Sequence, residues 1–315
     1  MLAPIALFVY NRPWHTRQTV EALLKNELAS DSELFIFADG PRIDANAEQI
    51  QNIKIVRDYI HGIVGFKTIK IIESSKNKGL ANSIIEGVTE IVNKYGKIIV
   101  LEDDIVTNSF FLTFMNKTLD IYKEEDSVMQ VSAFMYPIRH NNLPDTFFYQ
   151  AASCWGWATW KRAWRNYYNN PIFLYNEIKK RGLQRILNIN NIHNYEEQLV
   201  ANINGTLNTW FIRWNASIII ANGLTLYPKY TLVENIGFDG TGEHCNSLIS
   251  LNSKYNATHI KIKKQKIKPS KRAIKKIQKY NKQSFLEKII GFLLYYIRKI
   301  WTRLKKTKHV SWKRH

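Results

Sequence analysis

The sequence has few cysteines and no apolar run long enough to cross a membrane, and each absence excludes a class of protein. Two cysteines, Cys154 and Cys245, are too few for a disulfide framework, so a reducing compartment is expected. The apolar run near the C-terminus, Ile289 to Ile297, has nine residues, whereas a membrane-spanning helix needs about 20. The first residues lack the basic and long apolar segments of a signal peptide and are predicted to form a strand.

Acidic residues are almost absent from the last fifth of the chain. Residues 254–315 contain 21 Lys or Arg residues and one acidic residue, Glu287, whereas residues 1–253 contain 24 basic and 25 acidic residues. The net charge of +19 therefore belongs to a tail, which we assign to residues 252–315. Proteins with a nearly neutral body and a strongly basic tail commonly use the tail to bind a membrane surface or nucleic acid.

The tail has the composition of a helix that lies in the interface of an anionic bilayer. Its basic residues flank the apolar run, and Trp and Tyr are close by. We therefore expect a cytoplasmic protein that is peripheral on the inner face of the plasma membrane. A helix docked on the body and RNA binding through charge are the alternatives. Nothing else resembles an RNA module, so no nucleic-acid partner is expected.

The first half of the sequence alternates apolar runs with amphipathic segments, which predicts an α/β fold. A mostly parallel sheet covered by helices on both faces is expected, with ligands bound beyond the carboxyl ends of its strands. The predicted strands are Ile5–Tyr10, Glu33–Asp39, Ile69–Glu73, Lys97–Asp104 and Val128–Phe134, and the predicted helices lie near 14–28, 45–60, 79–95 and 108–124. The globular body is predicted to cover residues 1–251.

Three acidic residues, Glu102, Asp103 and Asp104, end the fourth predicted strand. Adjacent carboxylates repel one another unless a cation or hydrogen-bond donors compensate. Oxygen ligands of this kind suit Mg²⁺ or Mn²⁺, which can also hold phosphate oxygens. The motif therefore indicates a metal site, and an exposed acidic turn is the alternative.

The other predicted strands also end in polar residues suited to a phosphate ligand. Arg12 follows the first strand and can pair with phosphate. Asp39 follows the second and can accept hydrogen bonds from a base or ribose, although Asp-Gly-Pro also forms plain turns. After the third, Lys78 and Gly79 enter a helix whose N-terminus favours an anion. Because these ends meet at one edge of the sheet, they predict a single crevice.

Six sequence motifs together resemble those of a known family. They are Tyr10-Asn11-Arg12-Pro13, Phe37-Ala38-Asp39-Gly40-Pro41, Asn77-Lys78-Gly79-Leu80 and Leu101-Glu102-Asp103-Asp104, followed by Trp155-Gly156-Trp157 and Asn235-Ile236-Gly237-Phe238-Asp239-Gly240. Their order and spacing resemble bacterial GT-A glycosyltransferases of the family-2-like group, and are similar to the N-acetylglucosaminyltransferase I family. The resemblance covers about residues 4–245. It implies a Rossmann-like GT-A fold, with a nucleotide-sugar half over residues 1–140 and an acceptor half over residues 141–251.

The resemblance also implies roles for individual residues. Arg12 would contact the nucleotide phosphate or ribose, Asp39 would bind uracil, and Lys78, Gly79 and Asn82 would lie beside the nucleotide. Glu102 would lie near the donor sugar, Asp103 would face ribose or sugar, Asp104 would bind Mn²⁺ (or Mg²⁺), and Trp155 and Trp157 would line the sugar and acceptor pocket. For the two tryptophans, a buried position in the core is the alternative. His244, in a glycine-rich segment, is a second candidate metal ligand, with a solvated loop histidine as the alternative.

The sequence departs from the family at the residue expected to act as general base, which deprotonates the acceptor hydroxyl. The related eukaryotic enzymes have an Asp shortly before a Trp, and Asn208 before Trp210 occupies that place here. Asn cannot accept the proton of an acceptor hydroxyl. A different alignment, another acid or a retaining mechanism would explain the difference. Among acids, Glu196 is a neighbouring candidate, and Glu197 and Asp239 are the residues we assign.

The expected function is therefore metal-dependent transfer of a sugar, in the hexosyltransferase class. The donor would be a UDP-sugar and the acceptor a glycan or lipid-linked saccharide of a bacterial surface polysaccharide such as lipopolysaccharide. A non-catalytic nucleotide-sugar or membrane-binding scaffold is the alternative. A nucleotidyltransferase is a weaker one, because Tyr10-Asn11-Arg12-Pro13 is not the glycine-rich basic loop that follows the first strand of those enzymes.

Overall fold

The computed structural model describes residues 1–190, 193–240 and 260–282. Its strands are β1 (Ile5–Val9), β2 (Glu33–Ala38), β3 (Thr68–Glu73), β4 (Lys97–Glu102), β5 (Ile105–Thr107), β6 (Val128–Ser132), β7 (Thr146–Tyr149), β8 (Trp157–Trp160), β9 (Leu224–Pro228) and β10 (Val233–Asn235). Its helices are α1 (Pro13–Leu24), α2 (Ala47–His61), α3 (Leu80–Tyr95), α4 (Phe111–Ile121), α5 (Lys161–Trp164), α6 (Pro171–Lys180), α7 (Gln184–Leu187), α8 (Tyr195–Ile203) and α9 (Trp210–Ile220). Residues 271–282 are also helical.

Eight of these strands form one sheet in the order β3-β2-β1-β4-β8-β6-β9-β7. Strands β1 to β4 are mutually parallel, and β8 is antiparallel to both β4 and β6. Since β9 is parallel to β6 and antiparallel to β7, only β7 and β8 run against the rest. This confirms the predicted α/β class with a mostly parallel sheet flanked by helices. The small strands β5 and β10 pair separately.

Local sequence explains how the first half forms these elements. Every residue of β1 is buried, as expected for a strand covered on both faces. Helix α1 begins at Pro13, whose ring fixes a helical φ where no backbone donor is needed. Helix α2 begins with a capping box between Asn46 and Gln49, and α3 ends at Gly96, which has a φ of +78°. The predicted elements therefore lie within a few residues of the observed ones.

The aromatic residues of the second half form much of the core. The Trp157 ring stacks on Trp210 with centroids 5.0 Å apart, and Trp164 lies 4.9 Å from Trp214. Trp157 and Trp214 are fully buried. Because each large ring removes much apolar surface from water, this cluster fixes α5 and α9 against the sheet.

Residues 260–282 pack on the body, although the sequence assigned them to a separate tail. Ala273 and Ile277 are fully buried in the same apolar cluster as Phe147 and Tyr227. The backbone N–H of Ser270 donates to the carbonyl oxygen of Phe148 at 2.9 Å. The packing of the described chain therefore continues beyond the boundary predicted at residue 251. The sequence did not predict this packing, because the apolar residues of the segment are few and are widely spaced among lysines.

In the described ranges, no helix has both the length and the apolar character that a membrane span requires. The apolar run from Ile289 to Ile297 lies outside these ranges.

The packing of residues 271–282 predicts a stability effect. Replacing the buried Ile277 with Ala should lower the free energy of unfolding by about 2–5 kcal/mol, because the side chain leaves a cavity in the cluster. Urea unfolding followed by circular dichroism measures it. The matched control is Lys275→Ala on the exposed face. Equal stability of the two variants would contradict the docking of this helix.

Candidate active site

An ion-pair network joins the ends of β1 and β4. These strands are adjacent and parallel, with Phe8 beside Glu102, so the residues that follow them emerge at the same edge. The Arg12 guanidinium pairs with the carboxylates of Asp103 and Asp104; Nη2 lies 3.0 Å from Oδ2 of Asp104. Burial alone lowers the pKa of Arg12, but the charges of both aspartates outweigh it and raise the pKa. Arg12 therefore remains charged and offsets the adjacent carboxylates.

Asp104 is buried, and one of its oxygens has no partner among the described residues. Oδ2 accepts from Arg12, whereas Oδ1 receives no hydrogen bond from the described part of the chain. Burial raises the pKa of this carboxyl, and Arg12 opposes the change. A buried acceptor left unpaired costs free energy unless a ligand completes it. Asp104 Oδ1 is therefore free to bind a cation.

The donor set fits a divalent ion held jointly with a phosphate ligand. Among the described residues, no group of three His, Cys, Asp or Glu side chains could hold a metal. Mg²⁺ is commonly bound through one or two carboxylates together with substrate phosphates, a requirement that Asp104 and its unpaired oxygen can meet. His244, the predicted second ligand, lies outside the described residues.

Glu102 is half-buried beside this pair. Burial and the negative charge of Asp104 raise its pKa from 4.5 to about 8, while Arg12 and a hydrogen bond from Trp210 act in the opposite direction. The hydrogen bond also places the first residue of α9 at the carboxyl end of β4. Glu102 is therefore the member of the acidic triplet that contacts α9.

The segment after β10 closes over Asp104. The backbone N–H of Ile236 donates to the Asp104 carbonyl oxygen at 2.9 Å, and that of Gly237 donates to Asn235 Oδ1 at 2.8 Å. A Cβ atom on Gly237 would overlap the Asp104 carboxylate and lie 3.1 Å from Nη1 of Arg12. Glycine at 237 therefore permits the close approach of this backbone to the site.

Asp239, one of the two residues assigned as catalytic, lies near the same crevice. Its carboxylate oxygen is 3.1 Å from Nε2 of His15, and its side chain is 42% exposed. His15 is buried on the first turn of α1. His15 also acts electrostatically on Asp104, so Asp239 and Asp104 are both close to one imidazole.

Asp39 organises the loop before α3. Its carboxylate accepts from three backbone N–H groups: Gly40 at 2.8 Å, Lys78 at 2.9 Å and Gly79 at 2.9 Å. Such bonds satisfy the backbone N–H groups at the start of a helix, which have no acceptor within the helix itself. The carboxylate assigned to a uracil base is thus already bound to the chain, a structural role that the sequence did not predict.

The other residues predicted beside the nucleotide lie at the exposed start of α3. The Lys78 ammonium pairs with Glu86 at 2.7 Å, and the Asn82 amide donates to the Lys78 carbonyl oxygen at 2.8 Å. Gly79 is the residue before α3 and has a φ of +77°, a conformation that glycine adopts without strain.

Trp155 and Trp157 have different environments. Trp155 is partly exposed, and its ring contacts Phe238 at 5.5 Å between centroids, beside the segment that covers Asp104. Trp157 is fully buried in the aromatic cluster. The prediction that Trp157 lines the sugar pocket is therefore wrong, because its place in β8, between β4 and β6, turns its ring into the core.

The remaining base candidates lie on α8, and Asn208 lies shortly before α9. Glu197 is exposed on α8 and accepts a hydrogen bond from Asn194 at 2.9 Å. The neighbouring Glu196 pairs with Lys179. The Asn208 amide oxygen accepts from Nη2 of Arg213 at 2.6 Å. In the described parts of the chain, no contact joins these residues to Arg12 or the acidic triplet.

The structure adds three residues that the sequence analysis missed. His15 is three residues from Arg12 and so shares its helix face, a spacing that could have indicated it. Gly237 belongs to a motif already noted, but its close approach to Asp104 is a tertiary contact. Trp210 also had no local signal, since its partner Glu102 is 108 positions away.

The chain matches no protein-family model, and no curated protein matches it in sequence. Two solved structures of S. aureus TarS are similar to it, each at 12% identity. One match covers 42% of this chain and 21% of that chain with a TM-score of 0.28; the other, to TarS 1-349, covers 74% and 59% with a TM-score of 0.38. The chain thus spans less than two thirds of either. At this identity and these scores, the likeness carries no information about activity.

The raised pKa of Glu102 predicts a pH-dependent stability difference. An unfolded Glu ionises near 4.5 and the folded residue near 8, so the folded state binds this proton more tightly. The native protein therefore loses stability relative to the unfolded chain as pH rises from about 4.5 to about 8. Glu102→Gln removes that loss, and its melting temperature should exceed that of the unmodified protein more at pH 9 than at pH 5.

Thermal unfolding with a chelator present tests this expectation at both pH values. Glu90→Gln, on the exposed face of α3, is the matched control and should show the same small difference at each pH. A Glu102→Gln difference that is independent of pH would contradict a proton held by Glu102.

Proposed function

We propose that this chain is a metal-dependent glycosyltransferase that moves a sugar from a UDP-sugar to a glycan or lipid-linked saccharide. The observation that supports it is the unpaired, buried Oδ1 of Asp104, beside Arg12 and at the carboxyl ends of β1 and β4. Parallel α/β sheets bind nucleotides at this edge. An acidic site that needs a cation, next to a fixed guanidinium, suits a diphosphate group.

Both the acidic residues and the arginine of the ion-pair network would take part in donor binding. Asp104 would hold Mn²⁺ or Mg²⁺, with His244 as its proposed partner, and the ion would neutralise charge on the diphosphate leaving group. Arg12 would contact the phosphate or ribose, because guanidinium binds phosphate oxygens in a bidentate manner. Asp103 would face the ribose or sugar. Asp39 would set the loop against which the uracil lies.

On the acceptor side, Asp239 is the better placed of the two assigned bases. It pairs with His15, whereas Glu197 contacts Asn194 at the surface of α8. A base must reach the acceptor hydroxyl directly or through one water. Trp155 would provide an aromatic face for a sugar ring, an arrangement that its partial exposure beside Phe238 permits.

The acceptor would belong to a bacterial surface polysaccharide such as lipopolysaccharide, made at the inner face of the plasma membrane. The basic residues and apolar run of residues 283–315 support that location. A non-catalytic nucleotide-sugar or membrane-binding scaffold is the second candidate. The observation in its favour is Asn208, which holds Arg213 where the related family has an acid.

Nucleotide-sugar binding should depend on Asp104. In a thermal-shift screen of UDP-sugars, the unmodified protein should gain stability only when Mn²⁺ is present, because binding to the native state raises its stability. Asp104→Asn should weaken that response at least about tenfold in apparent affinity, since it removes the charge of a ligand oxygen. Asp58→Asn, exposed on α2, is the control and should respond normally. An unchanged response in Asp104→Asn would contradict the metal assignment, and binding without transfer would favour the scaffold.

Membrane association should depend on residues 283–315. A chain ended after Lys282, which retains the docked helix, should bind anionic phosphatidylserine vesicles about 100-fold more weakly than the full chain, because it loses nine basic residues and the apolar run. Vesicle co-sedimentation measures this difference. Neutral phosphatidylcholine vesicles are the control for the electrostatic part. Equal binding of both chains to anionic vesicles would contradict a membrane tail.

A further inference from the structure

Arg213 is a buried cation without a carboxylate partner. It lies on the first turn of α9 and is 6% exposed. Its donors bind three neutral oxygens: the Thr209 carbonyl at 3.1 Å, Asn169 Oδ1 at 2.5 Å and Asn208 Oδ1 at 2.6 Å. Across the described ranges, no acidic side chain is within ion-pair distance of it. A buried charge is usually compensated by an opposite one, and the described residues do not supply it.

The contacts with Arg213 fix the orientation of two side-chain amides. Arginine has only donors, so the oxygens of Asn169 and Asn208 must face it, and both NH₂ groups must point away. Neither NH₂ group donates to another described residue, and both asparagines are exposed. Two exposed amide donors therefore lie next to the buried positive charge of Arg213.

A nearby hydroxyl is also unsatisfied. Oη of Tyr167 is buried without a hydrogen-bond partner, and its ring stacks on Trp164 at 4.6 Å. Arg213 is close enough to act on this hydroxyl electrostatically. Among the described residues, Arg213 has no carboxylate partner and the Tyr167 hydroxyl has no hydrogen bond, and a ligand with acceptor oxygens would compensate such groups.

The position of this group relates it to the candidate active site. Trp210, three residues before Arg213 on α9, donates its hydrogen bond to Glu102. Residues three apart share a helix face, so Arg213 lies one helical turn along α9 from the residue that contacts Glu102. A group bound there would belong to the acceptor and not to the nucleotide, whose phosphates are assigned to Arg12 and Asp104.

We propose that Asn169, Asn208 and Arg213 form a subsite for an anionic group of the acceptor, a carboxylate or phosphate on its saccharide. The oxygens of that group accept from the two amide NH₂ groups, and its charge compensates Arg213. Assignment to the acceptor rests on the proposed glycosyltransferase function; anion binding itself does not.

Asn208→Asp tests the subsite without removing a structural residue. The new carboxylate can form an ion pair with Arg213 and so compensate its buried positive charge. The variant should therefore melt at a higher temperature than the unmodified protein near neutral pH. It should also repel an external anion. Asn204→Asp adds the same charge on an exposed residue near the end of α8 and serves as the matched control for net charge.

Binding is measured by thermal shift, without metal or nucleotide and at constant ionic strength, with glucuronate, inorganic phosphate and uncharged glucose. Glucuronate or phosphate should stabilise the unmodified protein and Asn204→Asp, and its apparent affinity should fall about tenfold in Asn208→Asp. The anion that responds identifies the ligand group. Responses to both anions that are no larger than the response to glucose, or anion responses that Asn208→Asp leaves unchanged, would overturn the proposal.

The same three proteins are then tested with UDP and Mn²⁺. Asn208→Asp should keep the nucleotide response of the unmodified protein, because the subsite is separate from Asp104. If no protein responds to UDP while the anion response still depends on Asn208, the glycosyltransferase proposal fails and the anion site stands.

Discussion

The pairing of Arg12 with Asp103 and Asp104 is the interaction on which the candidate site depends. Two adjacent carboxylates at the end of a buried strand repel each other and lose hydration, so they need a nearby cation. Arg12 supplies it from the neighbouring strand, because β1 and β4 are adjacent and parallel. Among the described residues, this arrangement leaves Oδ1 of Asp104 without a hydrogen bond, and that oxygen is the atom on which the proposed metal binding depends.

Backbone groups complete the site around this pair. The loop before α3 is held by three amides that donate to Asp39, and the segment at Gly237 closes over Asp104 because glycine leaves room for the carboxylate. Both arrangements use main-chain contacts between positions far apart in sequence. The second half of the chain is built differently, from stacked aromatic rings, and there the buried Arg213 donates to neutral oxygens.

The sequence predicted the α/β class and the approximate bounds of its first elements, because apolar periodicity depends on local spacing alone. It was less informative about which side chains are buried, because the same residue type can be buried at one position and exposed at another. Trp155 and Trp157 are two positions apart, yet Trp157 is in the core and Trp155 is partly exposed. The lysine-rich composition of residues 260–282 concealed the few buried side chains, such as Ile277, that dock them on the body.

By itself, the sequence determined that Arg12, Asp39, Lys78 and the acidic triplet follow strands of one parallel sheet, since the strand pattern places them at a common edge. Only the tertiary structure decided which of these side chains meet. It joined Arg12 to the aspartates, bound Asp39 to backbone amides, and brought His15, Trp210 and Gly237 to the site. Such contacts depend on strand order and loop closure, which bring distant residues together and which no local pattern encodes.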